Sequence, residues 1–213
     1  MTTAPMRAYL DDEPLELEGQ TLGAAVLAGR QAAESRGRMI IEVWADGSPA
    51  PPADLEELPA ADPYASEVRF VSAVPGALVA HALEEAAENL AGVREAQTDA
   101  AAQLSRGETR EAMTNVGEAL RAWETVRRAV QEGCAVLGVA PADLLSDDES
   151  RDACTRAIEA LLEALREVQR AVTDQDVAGL ADTLEYDLDE LAETWTGLLG
   201  DMASAALATG NGE

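Results

Sequence analysis

One histidine, two cysteines and no lysine set the limits of the covalent and acid–base chemistry open to this chain. Without lysine there is no Schiff base and no phosphate-gripping lysine of a P-loop. Any Ser–His–Asp or Cys–His nucleophile system would have to use His81. The glycine-rich nucleotide fingerprint GxGxxG, the nucleophile elbow GxSxG and the zinc motif HExxH are all missing from the sequence. Di-metal carboxylate bundles need a Glu-x-x-His pair on each of two helices, which one histidine cannot supply.

His81, Cys134 and Cys154 are the only soft metal ligands besides methionine, and helical geometry separates them. At about 100° per residue, Val79, Leu83, Ala86 and Leu90 cluster on one face, and His81 points roughly 160–200° away. An exposed histidine is expected, and no metal or cofactor. Cys134 and Cys154 fall on apolar stripes of two neighbouring helices, at heights about 5 Å apart. They are a candidate pair, either a reversible disulfide or two core thiols, with core thiols favoured. Asp143, Asp147, Asp148, Glu149 and Asp152 form an acidic run, but lack the glycine and ligand alternation of a calcium loop. Helix capping accounts for them. No catalytic residue is assigned.

Carboxylates remain, and they dominate. The chain has 41 acids against 15 bases, all arginine, a formal net charge of −26. Such a surface repels phosphate backbones and anionic lipid heads, so neither nucleic acid nor membrane is an expected partner. The acidity has two readings: adaptation to salt, or a surface that recruits a basic partner. No apolar run approaches the roughly 20 residues of a membrane span. The opening MTTAPMRAYLDDEP has no secretory-signal pattern, and a cytoplasmic location is expected.

The elements that hold these residues are legible in the spacing of apolar side chains. Steps of three and four recur in four segments, predicting helices over about 75–105, 108–138, 147–172 and 174–208. Their stripes run Val79 to Leu104, Met113 to Leu137, Cys154 to Val172, and Leu180 to Met202. Pro75 suits a first helical turn, and Gly107 separates the first two helices. Ser146-Asp-Asp-Glu149 and Thr173-Asp-Gln-Asp176 have capping-box spacing before the last two. The connection 138–145 places Leu144 and Leu145 where they can pack between the two parts of the chain. Short connections between such stripes describe an antiparallel up-down-up-down four-helix bundle.

Residues 5–73 read differently. MRAYL (6–10) and LELE (15–18) alternate on either side of a DDEP turn. Thr21 precedes a helical stretch with Leu22, Ala25, Val26, Gly29 and Ala33 on one face. MIIEVW (39–44) and SEVRFVS (66–72) are strand-like, joined by a Pro-rich connection with room for one short element. This order resembles the ubiquitin-like β-grasp arrangement, in which a sheet wraps one helix. The resemblance implies a small binding or docking module. The expected fold is therefore α+β, a β-grasp-like domain over 5–73 and a bundle over 75–208. Residues 1–4 and 209–213 are expected to be disordered.

With no catalytic constellation, the expected function is non-enzymatic: a protein–protein interaction or scaffold/adaptor protein. The alternatives are a carboxylate-dependent hydrolase or a small-ligand-binding protein. Tyr186, flanked by Glu185 and Asp187, is an expected exposed aromatic. Together with Ala87 and Ala91 on the Ala-rich first helix it forms the candidate contact surface for a protein partner or a second copy. The charge itself generates a prediction. Screening of self-repulsion should raise the melting temperature steadily between about 0.05 and about 1 M NaCl. A flat or falling melting temperature over that range would show that self-repulsion is not a major term.

Overall fold

The computed structural model describes residues 5–210. The expected disordered start, 1–4, and residues 211–213 of the expected tail lie outside them. The chain divides into two compact units, Met1–Pro75 and Gly76–Glu213. It is α+β, with a small mixed sheet followed by helices. Among the described residues, no helix is long and apolar enough to cross a membrane.

In the first unit β1 (Arg7–Leu10) and β2 (Glu13–Leu15) form a hairpin that pairs Leu10 with Glu13. Asp11 and Asp12 close it, with φ of 48° and 69°. Two successive positive φ values make a tight turn whose twist suits a hairpin, and aspartate tolerates them. The second strand is thereby corrected from 15–18: so short a turn starts the pairing at Glu13, and the ladder ends at Leu15. α1 (Leu22–Glu34) starts where the Thr21 hydroxyl accepts a hydrogen bond from the Ala24 N–H at 3.2 Å. It buries Leu22, Ala25, Gly29 and Ala33, while Val26 is half-buried.

β3 (Met39–Ala45), β4 (Ser48–Pro49), α2 (Pro52–Glu56) and β5 (Glu67–Ala73) complete the unit. The Pro-rich connection thus holds two short elements, β4 and α2, rather than one. The sheet order is β2-β1-β5-β3-β4, with β1 and β5 parallel and the other pairs antiparallel. β5 alternates as its sequence predicts, with Val68, Phe70 and Ser72 buried. A Cβ on Gly29 would stand 2.9 Å from the Phe70 ring, so only glycine lets α1 lie so close there.

A polar pin ties the first, middle and third strands together. The Asp11 carboxylate accepts from the Ser72 N–H at 2.8 Å and from the Ser72 hydroxyl. Arg38 donates to the Ser72 hydroxyl and carbonyl oxygens at 2.7 and 2.6 Å. These hydrogen bonds, with the Arg38 charge, hold the Asp11 carboxyl below the usual aspartate range. A depressed folded-state value contributes stability above the unfolded pKa and loses it as pH falls through the folded one.

In the second unit α3 (Pro75–Ser105) begins at its proline and ends before Gly107, whose φ is 78°. α4 (Thr109–Leu137) is closed by Gly138 in the left-handed region. A 3₁₀ turn (Ala142–Leu144) follows, and Leu144 and Leu145 enter the core of the helical unit itself. α5 (Asp148–Asp174) is capped by Asp147, which accepts from the Ser150 N–H at 2.8 Å. α6 (Val177–Asp182) is capped by Asp176, which accepts from the Gly179 N–H at 3.0 Å. The caps are therefore aspartates, one and three residues beyond the expected Ser146 and Thr173. Thr173 still belongs to α5, donating to its own helix at the Gln169 carbonyl.

The last helical segment is not continuous α-helix. A π turn (Thr183–Asp187) separates α6 from α7 (Leu188–Gly210). The cause lies in the spacing of Leu180, Leu184 and Leu188, all buried. Two successive steps of four advance an α-helix about 80° beyond two full turns. A wider turn absorbs that surplus and keeps all three leucines facing inward.

One core joins α3 to α7. The α3 stripe is buried at every predicted position, from Val79 to Leu104. Met113 and Val172 are the corrections, at 37% and 40% exposed. On α4 the neighbouring Ala112 is buried instead; on α5 it is Ala171. Fully buried Gln97 was not foreseen, and neither of its amide atoms has a hydrogen-bond partner among the described residues. Trp123 and Trp195 meet edge to face, with centroids 6.4 Å apart, and the Trp195 Nε1–H donates to the Ala157 carbonyl at 3.3 Å.

Glycine permits two of the closest helix approaches. A Cβ on Gly133 would stand 2.9 Å from Val79, and one on Gly76 would collide with the Ala206 carbonyl oxygen. Because the second obstacle is backbone, no rotamer change relieves it. Gly76→Ala should destabilise the protein by about 1–3 kcal/mol through separation of α3 and α7, despite alanine's better helix propensity. Urea denaturation checks this; an unchanged or raised midpoint would mean the two helices do not meet so closely.

Candidate interaction surface

The three residues expected to form a contact surface sit on two elements. Tyr186 lies on the π turn and is 63% exposed. Ala91 is exposed on α3, whereas Ala87 is half-buried and packs against the core. α3 is joined to α7 by a fork: Arg94 donates to both carboxylate oxygens of Asp189, at 2.7 and 2.8 Å. That pairing raises the arginine pKa and lowers the aspartate's. Of the other alanines of α3, Ala80, Ala86, Ala100 and Ala101 are core and Ala82, Ala87, Ala96 and Ala102 are half-buried, so only Ala77 is exposed as Ala91 is.

A groove of about 660 Å³ runs between α5 and the π turn with α7. Its floor on α5 is Ala153, Ala157, Ala160 and Ala164, spaced four, three and four residues apart, with Leu191 opposite. Side chains this short leave the seam between two helices unfilled. Its rim carries Glu163, Glu167, Asp187 and Glu190 against one guanidinium, Arg156. Glu163 lies 3.3 Å from Arg166, and Glu167 is paired with Arg170. Asp187, Glu190 and Arg156 have no ion-pair partner among the described residues. The sequence reading missed this groove. Its signal was an alanine stripe offset by one residue from the apolar stripe through Cys154, Ile158 and Leu161.

His81 is exposed and lies 3.6 Å from Glu85. Among the described residues, no three His, Cys, Asp or Glu side chains group in a manner that holds a metal ion. Within the acidic run, Asp147 is the helix cap and Asp148 faces Arg151 at 3.4 Å. Carboxylates whose pKa departs from the ordinary value, including Asp11, Glu108, Asp147 and Asp189, all move down, driven by hydrogen bonds to the charged form.

Cys134 and Cys154 are both buried and free. Burial pushes both thiols up, and Cys154 adds to the effect at Cys134, which places them within each other's field. A raised thiol pKa lowers the thiolate fraction and so the reactivity. Both thiols should react with a disulfide reagent near pH 8 at least about 100-fold more slowly in the folded protein than in denaturant, because access requires core opening. Rapid labelling of the native protein would contradict their burial.

Compared with family models, curated proteins and solved structures, the chain matches none of them.

Proposed function

We propose that the protein works by contact, as a docking or scaffold protein in which a β-grasp-like unit is fused to an up-down-up-down four-helix bundle. Sheet order β2-β1-β5-β3-β4 with a parallel central pair supports the β-grasp reading. The antiparallel reading of the helices draws on matched contacts at opposite ends. Val79 approaches Gly133 while Gln103 meets Asn115; Gly76 approaches Ala206 while Arg94 meets Asp189.

The observation that carries the functional reading is Tyr186, an aromatic held out on a π turn and next in the chain to an acid of the groove. π turns recur at functional sites, and tyrosine supplies contact area with a polar tip at low entropic cost. In the antiparallel arrangement Tyr186 and Ala91 fall on opposite sides of the Arg94–Asp189 fork, about 9 Å apart along the axis. One partner surface can reach both. A two-carboxylate hydrolase would need one carboxyl held protonated near neutral pH. The downward shifts among the carboxylates weigh against that alternative.

Tyr186→Ala and Ala91→Arg should each weaken partner capture from the native cell, the tyrosine change by about 5–30-fold in Kd, without altering the circular dichroism spectrum. Identical pull-downs and sedimentation for wild type and both variants would show this surface to be inert.

A further inference from the structure

We propose that the groove between α5 and α7 seats a basic, amphipathic helical segment of another protein, a reading that rests on the contact function above and names its partner's chemistry. The floor sets the shape. From Ala153 to Ala164 it runs eleven residue steps, about 16 Å, or three helical turns. An alanine floor with four-three-four spacing lets a second helix lay its ridge close to the backbone.

Charge selects the occupant. Asp187 and Glu190 stand on the rim without ion-pair partners among the described residues, whereas Glu163 and Glu167 are already paired with Arg166 and Arg170. A second copy of this chain brings the same acidic rim and the same −26 net charge, so it is repelled. An acidic or neutral segment leaves the rim uncompensated. A segment with lysine or arginine flanking an apolar stripe satisfies both floor and rim.

The groove is also polarised. The Trp195–Ala157 hydrogen bond sets α5 against α7. In the antiparallel arrangement Arg156 therefore lies at the Thr194 end, and Glu163, Glu167 and Asp187 lie towards the other. The cationic residues of the bound segment face the acidic end and avoid Arg156. Removing that guanidinium should therefore tighten binding, an effect that a damaged fold cannot imitate.

The test is fluorescence anisotropy on the full chain at about 0.1 M salt. One probe is a labelled helical peptide with a Leu/Ala face flanked by Lys, and the other is its scrambled sequence of identical composition. The ordered peptide should bind at least about 10-fold tighter than the scrambled one. Asp187→Lys with Glu190→Lys should weaken it at least about 10-fold, and Arg156→Glu should tighten it about 3-fold or more. Glu84→Lys with Glu88→Lys, the same charge change on exposed positions of α3, should stay within about 2-fold. Equal binding of ordered and scrambled peptides, an equal loss in the α3 control, or no gain from Arg156→Glu would each overturn the proposal. A cellular partner that depends on Tyr186 yet is held equally by the Asp187→Lys/Glu190→Lys variant would overturn the groove assignment and leave the contact function standing.

Discussion

A net charge of −26 is the physical condition under which the rest of this molecule is assembled. An excess of 26 negative charges opposes compaction, so the fold must be held by apolar contact and by the local placement of each cation. The arginines are placed accordingly. Among the described residues all of the fifteen but Arg110, Arg121 and Arg156 lie within ion-pair distance of a carboxylate, six of them with one three or four residues away on the same helix. Such pairs are exposed and individually weak. Their effect is to break up runs of like charge along each helix. Five arginines instead join distant parts of the chain: Arg7, Arg36, Arg38, Arg69 and Arg94. Arg94–Asp189 and the Arg38–Ser72–Asp11 pin each fix one element against another.

Apolar contact must therefore be close, and at several places it is a glycine or an alanine that lets it be so. Gly76, Gly133 and Gly29 each sit where a Cβ would collide with a neighbour. Buried alanines recur on α3, α4, α5 and α7. Trp123, Trp195 and Phe70 are the fully buried aromatics among the described residues, with Tyr64 packed at the edge of the first unit's core. The same economy leaves its mark outside: where alanines face a seam with nothing over them, the result is the groove between α5 and α7.

The helices and the sheet were legible because period and punctuation agreed. Pro75, Gly107 and Gly138 bracket stripes whose residues are nearly all buried, and Thr21 caps α1 as its position suggests. Errors arose where local hydrogen bonding chose among equivalent residues. Ser146 and Asp147 both precede a helix and both can cap it; the aspartate does so. LELE alternates like a strand, but the two-residue Asp11–Asp12 turn fixed the register earlier. The candidate contact surface was legible only in part. Exposure of Tyr186 follows from its place opposite Leu184, whereas the groove depends on how two helices approach, which no single helical stripe encodes. Gln97 gave no sign of its burial beyond lying one turn from Val93 and Ala100.

The π turn has a consequence for how this helix relates to one of slightly different length. A π turn is an α-helix with one residue too many, accommodated in place. Excising a single residue between Leu184 and Leu188 would shorten that step from four to three and remove the surplus that the wider turn absorbs. Leu191, Trp195, Leu198 and Met202 would keep their faces, since everything downstream shifts as one piece. The lost residue would be the outward bulge and, with it, the display of Tyr186. The segment is thus a frame-step within an otherwise ordinary helix, with Leu184 on its inward side and Tyr186 on its outward one.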